Sequence, residues 1–195
     1  MTTDDWPSLP ESIQTPRFLL RPFRLADVAD VFAYRRDPEV GRYLPFAQPF
    51  ERQHADAFVA TQVLADRRER CVWALEQQDR VVGGVSLQVV RRMARAELGY
   101  EMARWLWGRG LMAEAASAVI DQAFGCLPII KITATATAPN VRSTRLLEKL
   151  GLQREALLRQ HRVHRGHVLD EVRYGILRDE WANGRKASPA TRGSS

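Results

Sequence analysis

The order of apolar and polar positions divides the chain into short strands and helices. Leu98, Tyr100 and Met102 alternate with Glu97, Gly99 and Glu101, the period of a strand. Gly108 and Gly110 break that pattern, and Leu111 to Phe124 is rich in Ala, Leu, Met and Glu, good helix formers. Upstream, Arg17 to Phe23 reads as a short strand. Leu25, Val28, Ala29, Val31 and Phe32 form a helical stripe that ends before Pro38. Glu39 to Phe50 is irregular, and Glu51 to Glu69 reads as a second helix with Ala57, Phe58, Val63 and Leu64 on its apolar side. Cys71–Glu76 and Arg80–Val90 flank the turn Gln77–Asp79 as a hairpin, and the basic turn Arg91–Arg95 leads into a strand over Ala96–Ala103. A strand over 129–137 follows the central helix. A helix over 141–150 then begins at Asn140, a good N-cap, and stops at Gly151. Strands near 152–162 and 168–177 close the series.

The strand–helix–strand unit around residues 96–137 implies a parallel pair with a right-handed crossover, while the hairpins imply antiparallel neighbours. The predicted fold class is therefore α+β: a mixed, mostly antiparallel central sheet with one parallel pair, flanked by about four helices. A length of 195 residues suits a single domain. The boundaries expected are a loose arm over 1–15, the domain over 16–181 and a disordered basic tail over 182–195.

Composition narrows the setting. Hydrophobic content of 45% is that of an ordinary globular protein. No apolar run is long enough for a bilayer, and the first residues lack the basic and apolar regions of a signal peptide. Cys71 and Cys126 lie far apart in apolar surroundings and read as buried free thiols. No metal-ligand spacing is present. A cytoplasmic protein is expected. The net charge of +6 would suit a polyanionic cofactor or nucleic acid. The arginines, however, are scattered rather than gathered into a basic run with interleaved aromatics, so a nucleic-acid-binding protein is the weaker alternative.

The glycine turn carries the first chemical signal. Two glycines just before a helix let backbone N–H groups converge, and the helix N-terminus adds unpaired donors and partial positive charge. With Arg109 between the glycines, the stretch reads either as a phosphate cradle or as a bare tight turn. It is not a P-loop, because Gly-Lys-Ser/Thr is absent. It matches the dinucleotide fingerprint Gly108-Arg-Gly110-Leu-Met-Ala113, yet the acidic residue expected about 20 positions on is missing from Ile130–Pro139.

Several stretches in order resemble the GNAT acetyltransferases, in particular the branch of ribosomal-protein N-terminal acetyltransferases (RimJ/RimL-like). They are Thr15–Phe23 followed by Asp27, Val82–Val85, Leu98–Tyr100, Trp107–Leu111 followed by Glu114-Ala115, Asn140–Ser143, Leu147–Gly151, and Asp170 with Tyr174. The resemblance spans about residues 15 to 181. It implies that the parallel pair is splayed, that acetyl-CoA is the acyl donor, and that the acceptor is an amine, either a protein N-terminus or a small molecule. The backbone of Met102 and Ala103 would contact the cofactor. Gly108, Arg109, Gly110, Leu111 and Met112 would hold its pyrophosphate. Asn140 would reach the pantetheine arm, cap the helix, or both. Ser143 would protonate the departing thiolate or serve as an ordinary capping serine. Glu97 and Glu101, on one face of the strand, read either as general bases, acting directly or through a water, or as an exposed strand face. The carboxylate that the ribosomal branch carries after the Asn-x-x-Ser helix has no counterpart in Arg159–Val163, and Trp105 stands where the family often has Gln or Arg. A non-catalytic acyl-CoA-binding module of the same fold is the other alternative, and the pattern is compatible with a homodimer.

Overall fold

A computed structural model describes residues 6–68 and 70–187. Eight strands form one sheet in the order β1-β2-β3-β4-β5-β6-β8-β7. The strands are β1 (Ile13–Gln14), β2 (Leu19–Arg21), β3 (Arg70–Gln77), β4 (Arg80–Val90), β5 (Arg95–Met102), β6 (Lys131–Thr137), β7 (Gln153–His164) and β8 (His167–Leu177). The helices are α1 (Val28–Arg35), the single turn α2 (Pro38–Gly41), α3 (Arg52–Leu64), α4 (Leu111–Cys126), α5 (Val141–Lys149) and α6 (Arg178–Ala187). Every strand pair is antiparallel except β5–β6.

The central helix α4 buries Leu111, Ala115, Ala116, Val119, Ile120, Ala123 and Phe124. Three of these seven are alanines, which let the helix lie close to β4 and β5. Helices α1 and α3 pack on each other, and α1 rests on β4. Trp73, Leu75, Leu87, Ile120, Ile129 and Leu147 are fully enclosed at the centre of the core.

Four expectations are corrected. The arm over 1–15 is docked where it is described: Leu9 and Ile13 are buried, and β1 pairs with β2. Residues 1–5 lie outside the described residues. The segment expected to be disordered from 182 is helical through Ala187, because α6 continues from the end of β8, and residues 188–195 lie outside the described residues. Helix α3 stops at Leu64 and turns Ala55 and Val59 inward, leaving Leu64 83% exposed. The reason is that Phe58 sits edge-on against Phe23, which fixes the helix rotation. Cys71 is buried as expected, while Cys126 is only half-buried.

The structure joins the stretch Thr15–Phe23 to Asp27 through Arg21. Arg21 makes two 2.8 Å hydrogen bonds to the Asp27 carboxylate and one of 2.5 Å to Glu76. Asp27 also accepts from the backbone N–H of Arg24 at 2.7 Å. Arg21 and Asp27 are both buried, so the hydrogen bonds to Asp27 must offset the loss of hydration. They do so well enough that the Arg21 pKa is raised rather than lowered. The cluster locks β2 to β3 and to the entrance of α1. An Arg21→Lys variant keeps the charge but loses the planar fork. It is expected to lose about 1–2 kcal/mol in urea unfolding; a loss of only a few tenths of a kcal/mol would show that the fork contributes little.

Candidate active site

The site starts from a break in the sheet. β5 and β6 pair only over Arg95↔Lys131, Ala96↔Ile132 and Glu97↔Thr133, after which the strands diverge. Backbone direction along β5 follows from the bonds at its ends. The Ala94 carbonyl accepts from Ile130 at 2.7 Å, on the β6 side, and the Ala103 N–H donates to Val82 at 2.8 Å, on the β4 side. Alternation then points the backbone groups of Leu98, Tyr100 and Met102 into the gap. Gly83 allows the close approach of β4 here: a Cβ on it would lie 2.4 Å from the Glu101 carbonyl oxygen.

This geometry revises one expected contact. The Ala103 N–H is committed to Val82 and so is not free for a ligand. The Met102 carbonyl accepts from the Trp107 indole at 2.8 Å. Among the groups left facing the gap are the N–H of Met102 and the backbone of Tyr100.

At the open end of the gap the chain turns through Gly108 (φ 78°) and Gly110 (φ 72°), both left-handed, and enters α4 directly. Side chains with a Cβ are strained in that region, so the turn requires glycine. The first N–H groups of α4, from Leu111 onward, lack helical acceptors and face the cleft beside exposed Arg109. Lys149 lies over the turn, its Nζ 3.7 Å from where a Gly110 Cβ would be. Arg142, Arg145 and Lys149 recur at helical spacing along α5 and line the same cleft, with Arg142 stacked 4.9 Å above the Trp107 ring. Sequence reading missed these three cations, although their i, i+3, i+7 spacing was there to be read. Glu114, one turn into α4, is tied to Arg17 by bonds of 3.0 and 2.5 Å. Burial pushes its pKa up, but hydrogen bonds from Thr15 and Arg17 outweigh that and leave it lowered.

Asn140 and Ser143 face the gap from the other side. The Asn140 Oδ1 accepts from the Ser143 N–H at 3.3 Å, so the asparagine does cap α5, with its side-chain NH₂ left to donate elsewhere. The Ser143 Oγ lies 2.8 Å from the Tyr100 hydroxyl. Burial pushes the Tyr100 pKa up to about 12, with the bond to Ser143 partly opposing it. Tyr100 therefore stays protonated at neutral pH. It was not among the residues expected from sequence, because its partner is 43 positions away.

The two candidate glutamates part company. The Glu101 Oε1 accepts from the Tyr34 hydroxyl at 2.6 Å and from Arg35 at 2.9 and 2.5 Å. Tyr34 is fully buried and the Arg35 side chain is 7% exposed. Burial opposes the Arg35 charge, but Glu101 more than compensates and its pKa is raised. Arg35 is further enclosed by the Phe58 and Phe46 rings, 3.4 and 4.8 Å from its guanidinium. Glu101 is thus an anchored ion-pair partner. Glu97, at the last paired position of β5, is exposed and lines the cleft without an ion pair among the described residues.

The cleft that joins these parts has a volume of about 1010 Å³. The segment after α2 roofs it. Tyr43 donates to the Pro139 carbonyl at 3.4 Å, and Arg165 from the β7–β8 turn donates to the Gly41 carbonyl at 2.8 Å. His164 bonds the Arg42 carbonyl at 3.0 Å, and burial leads the causes that lower its pKa. Asp170 accepts from the Gln160 N–H at 2.7 Å, holding a left-handed residue (φ 52°) in β7. Tyr174 instead donates to Glu148 at 3.0 Å on α5. Both are supports of the frame rather than parts of the cleft.

Comparison with known proteins gives the family and the fold. The family model for the acetyltransferase (GNAT) domain matches residues 17–153. The relative named uncharacterized N-acetyltransferase p20, from Bacillus licheniformis, is 30% identical over 176 residues, covering 88% of this chain and 99% of its own. A crystal structure of an acetyltransferase of the GNAT family from Bacillus anthracis is 25% identical, with a TM-score of 0.78 over 86% of this chain and 99% of that one. RimL, the ribosomal L7/L12 α-N-protein acetyltransferase, in a complex with coenzyme A, gives a TM-score of 0.78 at 16% identity, over 86% of this chain and 98% of that one. At that identity the likeness is one of fold.

Proposed function

The chain belongs to the GNAT acetyltransferase family, and from that premise we propose that it moves an acetyl group from acetyl-CoA directly to a primary amine, with both substrates bound at once. The observation that carries this reading is the divergence of β5 from β6 next to the glycine turn. It leaves directed backbone donors in the gap and a nest of N–H groups and cations at its mouth.

Bound there, acetyl-CoA supplies an activated thioester. The residues present fit its parts. The N–H groups from Arg109 to Met112, with Lys149, Arg142 and Arg145, match a pyrophosphate and its further phosphate. The Met102 N–H and the Asn140 side-chain NH₂ match the amides of the pantetheine arm. Backbone donors in the gap face the place where carbonyl charge would build up. Ser143, held by Tyr100, would lend its proton to the leaving sulfur, and the proton that Glu97 takes from the amine would replace it through solvent, so that amide and free thiol are the net products. Glu97, facing the acceptor side of the cleft, draws a proton from the amine directly or through a water. Glu101 is fixed on Arg35 and Tyr34, and its role is to position α1 against β5.

Calorimetric titration with acetyl-CoA tests the cradle. The protein binds, and Gly110→Val weakens binding by at least about tenfold, because a β-branched residue is strained at that φ and covers the converging N–H groups. Equal affinity in the variant would remove the turn from the site.

A further inference from the structure

The cations of the cleft fall into two groups, and only one is needed for acetyl-CoA. Arg109, Arg142, Arg145 and Lys149 gather around the glycine turn. At the other end, most arginines are already committed: Arg35 to Glu101, Arg162 to Glu171 at 3.3 Å, and Arg42 to Glu39 at 3.5 Å. Arg70 and Arg173 are different. Both are exposed, both line the cleft, and neither has a carboxylate partner among the described residues.

Strand register places them around Glu97. Arg70 pairs with Gln88, and Gln88 with Glu97, so their side chains share one face of the sheet two strands apart. That is about 10 Å between backbones. On the other side, Glu97 pairs with Thr133, and Arg173 lies opposite Thr135 in the next strand of the same face. Glu97, which has no ion pair among the described residues, therefore stands between two arginines that have none there. An amine drawn to Glu97 would carry the rest of its molecule past one guanidinium or the other. Guanidinium groups select carboxylate and phosphate by paired hydrogen bonds.

Resting on the acetyl-transfer reading above, we infer that the acceptor is an amine that also bears a carboxylate or phosphate, with Glu97 receiving the amine and Arg70 and Arg173 the anionic group. The shared chemistry fits an acidic peptide N-terminus and a small amino acid or amino phosphate alike.

The test is binding to the full-length protein saturated with coenzyme A, so it does not depend on turnover. Two matched pairs are titrated: Ala-Asp-Glu amide against Ala-Asn-Gln amide, and phosphoethanolamine against ethanolamine. At least one acidic member is expected to bind about tenfold or more tightly than its neutral match, a charge-assisted contact's worth. The pair that discriminates identifies the source, peptide or small molecule. In Arg70→Ala/Arg173→Ala the ratio falls below about threefold, while retained coenzyme A binding reports an intact fold. Equal binding within both pairs, including no detectable binding of any member, overturns the inference, as does a ratio that survives in the double variant. Failure of the protein to bind coenzyme A at all would instead overturn the underlying reading.

Discussion

Arg35→Met is expected to destabilise the protein by about 3–5 kcal/mol, the cost of stripping one partner from a buried ion pair. For a chain of this size that corresponds to a fall in Tm of roughly 6–20 °C. The guanidinium gives two hydrogen bonds to Glu101 and lies against the Phe46 and Phe58 rings. Methionine fills part of that volume but leaves the Glu101 carboxylate, only 11% exposed, facing Tyr34 alone. Glu101→Gln should lose stability for the same reason, keeping a neutral group against a buried cation. This separates the two glutamates. Glu97→Gln, at an exposed position, should melt like the parent while kcat falls at least about tenfold. If Glu101→Gln retained full stability but lost turnover, and Glu97→Gln kept it, the assignment of base and anchor would be reversed.

Ser143→Ala is expected to lower kcat by about 10²–10⁴-fold, the range for a positioned proton donor. The acetyl-CoA Kd should move by less than about twofold, because α5 keeps its Asn140 cap. Tyr100→Phe tests the partner. It leaves the serine in place but removes the hydroxyl 2.8 Å away, so a smaller loss of about tenfold is expected. With the Tyr100 pKa raised to about 12, ionisation of the phenol contributes no inflection to the rate profile between about pH 6 and 10. Stopped-flow detection of free thiol measures both variants. A Ser143→Ala enzyme with parental kcat would remove the hydroxyl from the proton path.

Much of this frame was legible before any coordinates. Alternation from Glu97 to Met102, the glycine pair and the Asn140 cap are local signals, each written within a few residues, and they located the strand, the turn and both helices around the gap. What sequence left open was long-range. Glu97 and Glu101 look equivalent along the strand, and only Tyr34 and Arg35, 67 and 66 positions earlier, distinguish them. Likewise Ser143 and Asn140 look like plain capping residues until Tyr100 is found opposite. The misplaced stripe on α3 has a similar origin: Val63 and Leu64 are apolar, but the Phe23–Phe58 contact decided which side turned inward. The docked N-terminal arm was unreadable because β1 is two residues long and owes its place to β2.

The most direct test of the account is the initial rate of free thiol release over a grid of acetyl-CoA and amine concentrations, with the acetylated amine confirmed by mass. Direct transfer between two bound substrates predicts release that depends on the amine, with double-reciprocal lines that intersect. Release independent of any amine, or parallel lines with an acetyl group held on the protein, would contradict it.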